Sequence, residues 1–181
     1  IISTKNYPLT RLGNTNSTEL AKVLENSYRA MNIAFATEWS RFAEESNVNL
    51  YEVVDAIRMR PTHSNLMYPG IGVGGYCLTK DPLLASWAKQ HHFNSDEPLL
   101  QSEFGVKTND KMPLFAFNYM KKVFDLSNLN ETKMTFLGVS YRSNIADTRY
   151  SPVESFYKFC LTDGAQINLH DPYVSYWEEL E

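Results

Sequence analysis

Cys77 is the residue of this sequence best placed for covalent chemistry. It follows a stretch, residues 69–75, that holds four of the eight glycines, and a helix is predicted to begin directly after it. Glycines let a backbone approach a ligand closely, and the N-terminus of a helix together with the nearby Lys80 would stabilise a thiolate. The sequence therefore suggests a reactive cysteine. The alternative is a flexible loop that leads to a small, buried cysteine.

The same glycines match a dinucleotide-binding pattern. Gly70, Gly72 and Gly75 satisfy Gly-x-Gly-x-x-Gly, but that pattern indicates dinucleotide binding only when it follows a strand and opens a helix. Pro69 precedes the pattern here and predicted helices flank it, so the sequence disfavours a dinucleotide-binding turn at this position.

Lys22 and Asn26 are a second candidate pair, because a spacing of four residues on a helix brings two side chains to one face. Asn26 stands out, since asparagine is a poor residue for a helix interior. An ammonium and an amide together could hold a developing oxyanion or position a water molecule. The alternative is a solvated polar stripe along the helix.

Two arginines fall in the last part of the chain. Arg142 and Arg149 lie between the first predicted strand and its helix, at the edge of an α/β sheet where ligands usually bind. Guanidinium groups there suit phosphate recognition, whereas the alternative is an ordinary polar loop. The four histidines have no metal-ligand spacing and no evident Ser or Asp relay to Cys77, so no metal site is predicted.

Composition narrows the classes of partner. The 181 residues carry a formal net charge of -4, with 43% apolar and 21% charged residues, which is typical of a globular protein. No broad positive field exists to hold nucleic acid or a membrane surface, so a few placed cations must bind any anionic ligand. Cys77 and Cys160 are the only cysteines and no apolar N-terminal run marks a secretory signal, so a reducing cytoplasm is expected.

A long helix must carry Lys22 and Asn26. Residues 16–19 (NSTE) have the spacing of a capping box and predict its start. From residue 19 to about residue 45 there is no Gly or Pro, and apolar residues recur at three- and four-residue steps. At a rise of about 1.5 Å per residue this helix would be about 40 Å long, which suggests a spine shared between domains or subunits.

Three further helices are expected before the chain changes character. They cover residues 51–58, about 78–89 and 98–124, and a turn-rich stretch, 60–77, separates the first two. Pro82 lies in a first helical turn, where a missing amide does least harm, whereas Pro113 should kink or divide the last helix. The N-terminal two-thirds of the chain is therefore predicted to be all helical.

A β-α-β unit is predicted after a polar break at 127–133. Residues 134–139 predict a buried strand, Ser151 and Pro152 supply the N-cap and first residue of a helix to about residue 161, and 165–169 predict a second strand. A parallel pair needs more strands, so we expect the beginning of a larger, Rossmann-like α/β domain. The predicted fold class is a mainly α central domain with a long spine helix, followed by the beginning of that α/β domain.

Three blocks, taken in order, resemble the UDP-glucose/GDP-mannose dehydrogenase family of nucleotide-sugar 6-dehydrogenases. They are 19–29 (ELAKVLENSYR), 69–81 (PGIGVGGYCLTKD), and 137–142 (LGVSYR) with 147–152 (DTRYSP). The second block is most similar to the UDP-N-acetyl-hexosamine branch. The resemblance implies a linker or remnant of an NAD-binding domain at 1–15, a helical central domain at 16–130 that forms a homodimer, and a partial UDP-binding α/β domain at 131–181.

The resemblance further implies an NAD-dependent enzyme that oxidises the C6 alcohol of a UDP-sugar to a uronic acid for polysaccharide synthesis. Cys77 would be the nucleophile, forming a thiohemiacetal and then a thioester. Lys22 and Asn26 would stabilise the developing oxyanion and order water, and Asp81 would assist hydrolysis. The implied substrate contacts are Lys22, Leu66, Met67, Tyr68, Pro69, Gly70, Gly74 and Arg142, and the implied cofactor contacts are Lys80 and Arg149.

Several features depart from the family pattern. Arg142 stands where a Lys is usual, Tyr76 replaces the usual His, and His63 occupies a region where an Arg is expected. The family's N-terminal NAD-binding domain has no counterpart in these residues, so the chain alone is expected to be inactive, and Ile1 suggests that something precedes it. Two alternatives stay open: a non-catalytic dimerisation scaffold, and an unrelated dehydrogenase with a similar helical domain that needs no cysteine nucleophile.

Overall fold

The computed structural model describes residues 3–180, which contain five α-helices and a two-stranded parallel sheet. The elements are α1 (Thr15–Glu45), α2 (Leu50–Arg58), α3 (Tyr76–Phe93), α4 (Leu100–Val123), β1 (Lys133–Leu137), α5 (Pro152–Thr162) and β2 (Gln166–His170), with short 3₁₀ helices at Pro61–His63 and Glu178–Leu180. The prediction of a mostly helical chain followed by a β-α-β unit is confirmed. In the predicted linker at 1–15, residues 1 and 2 lie outside the described residues, and 3–14 form no helix or strand.

The start of α1 differs from the predicted capping box at 16–19. Asn14, in an extended conformation, accepts a hydrogen bond from the Ser17 backbone N–H at 2.8 Å through its side-chain oxygen. The capping-box prediction is therefore wrong by two residues, because Asn14 already supplies the acceptor that the first turn needs. The helix spans 31 residues, a length of about 46 Å at the usual rise.

The start of α3 also comes two residues earlier than predicted. Gly75 is the N-cap residue, with φ at +77°, a backbone conformation that costs glycine little. Helix therefore begins at Tyr76, and Cys77 is the second residue of α3 instead of the last residue of the preceding loop. Asn94, in the left-handed conformation, follows the last helical residue.

One continuous helix, α4, passes through Pro113, so of the two expected outcomes, a kink or a division of the helix, the division does not occur. Proline removes one backbone donor from the helix. The buried face of α4 offsets that loss, since Met112, Pro113 and Phe117 are all buried and α4 packs along α1. Tertiary packing therefore decides the structure at a position where local propensity favours a break.

A close crossing of α1 and α4 organises the helical part. A Cβ at Gly105 would lie 3.2 Å from the Met31 backbone nitrogen and 3.3 Å from the Ala30 carbonyl carbon, tighter than side chains ordinarily tolerate. Helix α3 packs against both α1 and α4. Among the described residues, no helix combines the length and the apolar character needed to cross a membrane.

The β-α-β unit forms in the predicted order, but the expectation of a buried first strand is wrong: Phe136 is the one buried residue of β1, and Leu137 is 82% exposed. Strands β1 and β2 pair in parallel, from Lys133 opposite Gln166 to Leu137 opposite His170. The Ser151 side chain caps α5, as expected. A core of buried residues joins this unit to α4: Phe117, Leu129, Phe136, Cys160 and Ala165.

Candidate functional site

Four polar side chains from α1 and α3 form a continuous hydrogen-bonded row, called here the polar row. Lys22 Nζ donates to Asn26 Oδ1 at 3.2 Å, and Asn26 Nδ2 donates to Asp81 Oδ2 at 2.6 Å. Lys80 Nζ donates to the other oxygen of Asp81 at 3.1 Å. The structure therefore brings together Lys22, Asn26 and Asp81, three residues that the family resemblance assigns to catalysis.

The middle of the polar row is buried and its ends are open to solvent. Asn26 is 2% exposed and Asp81 is 8% exposed, whereas the side chains of Lys22 and Lys80 are 58% and 52% exposed. A buried carboxylate needs partners, and both oxygens of Asp81 have one. The Asn26 amide is held in one orientation, because its nitrogen faces Asp81 and its oxygen faces Lys22. The polar row therefore has an exposed ammonium group at each end, that of Lys22 and that of Lys80, and a buried centre, Asn26 and Asp81, held by hydrogen bonds.

Cys77 lies one helical turn before Asp81. The spacing of four residues puts the two side chains on the same face of α3. The Cys77 thiol is free and exposed, so the alternative of a small, buried cysteine is wrong for this residue. Cys160 is fully buried, and burial raises the pKa of its thiol to about 11. In the described part of the chain, no group of three or more His, Cys, Asp or Glu side chains could hold a metal ion.

The glycine-rich loop, residues 69–75, follows a 3₁₀ helix and precedes α3, so it lacks the strand that a dinucleotide-binding turn needs. Its glycines serve close packing. A Cβ at Gly74 would collide with the Tyr150 carbonyl oxygen and would lie 2.6 Å from Tyr141 Cβ. The Gly75 N–H donates to the Arg149 carbonyl at 3.0 Å. The loop is therefore pressed against residues 141–150, the segment that follows β1.

Residues 66–70, which the resemblance assigns to the nucleotide sugar, are fixed to α1 and α2. The Met67 N–H donates to Asn32 Oδ1 at 3.1 Å, and the Tyr51 hydroxyl donates to the Pro69 carbonyl at 3.1 Å. The Tyr68 ring stacks on Tyr51, with 5.8 Å between ring centres. These contacts hold the backbone of residues 66–70 in place and leave Gly70 exposed.

Arg142 lies in the segment between β1 and α5. Its side chain is exposed and borders a cavity of about 520 Å³ at the carboxyl ends of β1 and β2. Asp171, directly after β2, accepts hydrogen bonds from the Val139 N–H at 2.9 Å and the Ser140 N–H at 3.3 Å, and these bonds lower the pKa of its carboxyl group. This edge of a parallel sheet is where α/β proteins usually bind ligands.

Lys80 and Arg149, the implied cofactor contacts, are both close to Tyr76 at the start of α3. Lys80 lies one turn after Tyr76, and the Arg149 guanidinium carbon lies 5.0 Å from the centre of the Tyr76 ring. Arg149 donates to Asp147 from Nε at 2.8 Å and from Nη2 at 2.6 Å, and these bonds lower the pKa of the Asp147 carboxyl group. Each of the two cations is held by a carboxylate, Lys80 by Asp81 and Arg149 by Asp147.

Two asparagines that were not predicted from the sequence hold the backbone between the 3₁₀ helix at Pro61–His63 and α3. Asn109 bonds both backbone polar groups of Val73: its Oδ1 accepts from the N–H at 2.7 Å, and its Nδ2 donates to the carbonyl at 3.0 Å. Asn32 accepts from the Met67 N–H. Both lie inside helices, where asparagine is unfavourable, which is the signal that singled out Asn26. Applying that signal to every helical asparagine would have found them.

Comparison with known proteins identifies the family. Residues 16–109 match the central domain of the UDP-glucose/GDP-mannose dehydrogenase family, and residues 135–181 match its UDP binding domain. The chain is 31% identical over 164 residues to the UDP-N-acetyl-D-mannosamine dehydrogenase of Methanococcus maripaludis. The matched residues are 91% of this chain and 36% of that protein. It is 33% identical over 171 residues to the Pyrococcus horikoshii protein of the same name, with coverages of 90% and 38%.

Solved structures give the same result. The UDP-D-ManNAc dehydrogenase of Pyrococcus horikoshii matches with a TM-score of 0.76 and 30% identity, over 89% of this chain and 37% of that chain. The NDP-N-acetyl-D-galactosaminuronic acid dehydrogenase of Methanosarcina mazei matches with a TM-score of 0.81 and 26% identity, over 91% and 37%. The chain thus spans somewhat more than a third of the length of these relatives. Because the central-domain match alone covers more than half of its residues, the chain belongs to the UDP-glucose/GDP-mannose dehydrogenase family.

Proposed function

We propose that this chain carries the covalent catalyst and the nucleotide contacts of an NAD-dependent nucleotide-sugar 6-dehydrogenase that acts on a UDP-N-acetyl-hexosamine. The relatives named for UDP-N-acetyl-D-mannosamine and NDP-N-acetyl-D-galactosaminuronic acid support this class of sugar. The observation that carries the proposal is the buried hydrogen bond of 2.6 Å between Asn26 and Asp81, which ties the helix bearing Lys22 to the helix bearing Cys77. A solvated polar stripe would not bury an amide against a carboxylate.

Covalent catalysis by Cys77 is the centre of the proposed mechanism. Oxidation of the C6 alcohol to a carboxylate removes two hydrides, and NAD⁺, when bound, would supply the acceptor for each of them. Between the two oxidations, the Cys77 thiolate adds to the C6 aldehyde and forms a thiohemiacetal, which the second oxidation leaves as a thioester. Water adds to the thioester carbonyl, the carbon–sulfur bond breaks, and the carboxylate product leaves Cys77 as a thiolate. Such a thiol must stay reduced, which favours the cytoplasm.

The polar row has the groups that these steps need. Lys22 keeps N–H donors beyond the one it gives to Asn26, and these can bind an oxygen that gains negative charge when Cys77 attacks. Asp81 holds the Asn26 amide in its orientation and can accept a proton from the attacking water. One helical turn, about 6 Å between Cβ atoms, separates Asp81 from Cys77 and leaves room for that water.

Two parts of the chain are proposed to bind the substrate: residues 66–70 together with Gly74, and the edge of the sheet at the carboxyl ends of β1 and β2. The backbone of residues 66–70 and of Gly74 would surround the nucleotide sugar, and Arg142 would bind a phosphate. Arginine can donate two parallel hydrogen bonds to a phosphate, where lysine offers a point charge. Replacing the usual lysine by Arg142 therefore keeps the charge and changes the geometry of the contact.

The proposed architecture is a central domain at 16–130 that forms a homodimer, followed by the start of a Rossmann-like UDP-binding domain at 131–181. Large apolar side chains on one face of α1 support the dimer, because they are exposed in the single chain: Leu20, Leu24, Phe35, Trp39 and Phe42. Exposed apolar faces of this kind mark interaction surfaces, and α1 would be a spine shared between subunits. A strict monomer in gel filtration at micromolar concentration would contradict this part of the proposal.

The test counts NADH formed per sugar by a protein in which this chain is fused to an N-terminal NAD-binding domain of the family. We expect two NADH per UDP-N-acetyl-hexosamine from the fused protein and none from the chain alone. One NADH per sugar would point to a simple alcohol dehydrogenase. None with UDP-glucose, GDP-mannose or any of the UDP-N-acetyl-hexosamines would favour a non-catalytic scaffold.

A further inference from the structure

We infer that Asn109 is a positioning residue for Cys77, an inference that rests on the proposed function. Asn109 Oδ1 accepts from the Val73 N–H at 2.7 Å, and Asn109 Nδ2 donates to the Val73 carbonyl at 3.0 Å. One side chain on α4 thus satisfies both backbone groups of a residue that lies four positions before Cys77. Two short bonds from one planar amide restrict rotation as well as translation of the backbone that they hold.

The position of Asn109 is itself set by the crossing of α4 with α1. Asn109 lies one turn after Gly105, and residues four apart share a helix face. At Gly105 the backbone of α4 is in close contact with Ala30 and Met31 of α1. Asn26 is one turn before Ala30 on the same helix. Asn109 therefore ties Val73 to α4 near the point where α4 crosses α1, the helix that bears Lys22 and Asn26.

The neighbouring contacts of Gly74 and Gly75 run to a different part of the chain. The Gly75 N–H bonds to the Arg149 carbonyl, and Gly74 packs against Tyr150, so both tie the loop to residues 141–150 after β1. Between residues 70 and 77 of the described chain, Asn109 makes the only side-chain hydrogen bonds to the backbone from outside α3. The backbone that leads directly into the first turn of α3, where Cys77 lies, is thus held to α4 by Asn109.

Amide hydrogen exchange on this chain tests the contact. Asn109→Ala should raise exchange of the Val73 amide about tenfold, because its acceptor is lost, with exchange at Phe136 in β1 unchanged. Asn109→Asp keeps an acceptor for the Val73 N–H and should retain most of the protection. Asn118, an exposed asparagine on the same helix, gives the matched control, and Asn118→Ala should change neither amide. Unchanged exchange at Val73 in Asn109→Ala would overturn the inference.

Alkylation of Cys77 tests positioning apart from structure. In Asn109→Ala the backbone that leads into α3 loses both bonds to α4, so the surroundings of Cys77 at the start of that helix become less ordered, and its alkylation by iodoacetamide at pH 7 should fall about threefold. Cys160 should stay unmodified, which shows that the chain is folded. An unchanged rate at Cys77, or faster exchange at Phe136 together with Val73, would overturn the positioning role. Neither readout uses turnover, so a fused protein that forms no NADH would contradict the proposed function alone.

Discussion

The two cysteines of this chain lie in regions of opposite character. Cys77 is exposed in the first turn of α3, next to polar side chains whose partners come from another helix. Cys160 is fully buried on α5 within an apolar cluster that includes Leu129 and Phe136. The same thiol is therefore available for chemistry in one region and withheld from it in the other. The surroundings decide this, through an exposed helix start in one case and an apolar core in the other.

The difference also separates function from stability. Apolar burial around Cys160 stabilises the junction of α4 with the β-α-β unit. The buried pair of Asn26 and Asp81 contributes less, because apolar residues of the same volume could replace such a pair with little loss of stability. The polar row is better explained by the chemistry it can perform than by the stability it adds.

The largest expected effect is on catalysis, and it follows from removing the exposed thiol of Cys77. Cys77→Ser in the fused protein should lower kcat with a UDP-N-acetyl-hexosamine at least about 1000-fold, because the hydroxyl is a far weaker nucleophile at neutral pH. Cys160→Ala, the matched control, should change kcat less than about threefold, since it touches no group proposed to react. Unchanged turnover in Cys77→Ser would favour a dehydrogenase that needs no cysteine nucleophile.

The next effect is a difference in thiol reactivity within one folded chain. At pH 7, iodoacetamide should alkylate Cys77 at least about 100-fold faster than Cys160, because Cys160 is buried and its thiol pKa is raised to about 11. Mass spectrometry of the two cysteine peptides over time measures both rates. Equal rates, or a faster reaction at Cys160, would contradict the assignment of the two regions.

A third effect is the pH dependence of folding stability that the buried Cys160 thiol contributes. The pKa of Cys160 is raised from 9.0 to about 11 on folding, so the folded chain keeps a proton that the unfolded chain releases in this range. The free energy of unfolding should therefore fall as pH rises from 9.0 towards 11, by about 2 kcal/mol. Urea unfolding of the chain and of Cys160→Ala across this window isolates the effect, since the variant lacks the titrating thiol. An equal loss in both proteins would assign it to other groups.

The smallest expected effect is on the free energy of unfolding at neutral pH when each cysteine is replaced by alanine. Cys160→Ala should lower the free energy of unfolding by about 1 kcal/mol, because it leaves a small cavity in a packed core. Cys77→Ala should change it by less than about 0.5 kcal/mol, since the side chain is exposed. Urea unfolding at pH 7 measures both. A larger loss at position 77 would mean that the helix start is part of the core.

Local signals were enough to predict much of both regions. The Ser151 cap and Pro152 fix the start of α5 within one turn, and the change from helical to strand periodicity locates β1. Asn26 was recognisable because an amide inside a helix needs a partner. Asp81 was named by family resemblance, and its contact with Asn26 depends on the packing of α1 against α3, which no local pattern encodes.

Tertiary structure explains what the sequence analysis missed. The positive φ of Gly75 starts α3 early, and burial of Pro113 keeps α4 intact where propensity predicts a break. Asn109 and Val73 are 36 residues apart, so their contact exists only once α4 lies beside the loop. Such long-range contacts determine the site, whereas the elements that carry it are encoded locally.

The most direct test of the central claim is to trap the sugar on Cys77. Asp81→Asn in the fused protein should slow hydrolysis of the thioester, because the group proposed to accept a proton from water is removed. With NAD⁺ and a UDP-N-acetyl-hexosamine present, mass spectrometry should then find the oxidised sugar on the Cys77 peptide, with the Cys160 peptide unmodified. Continued NADH formation without an adduct on Cys77, or an adduct on Cys160, would contradict the account.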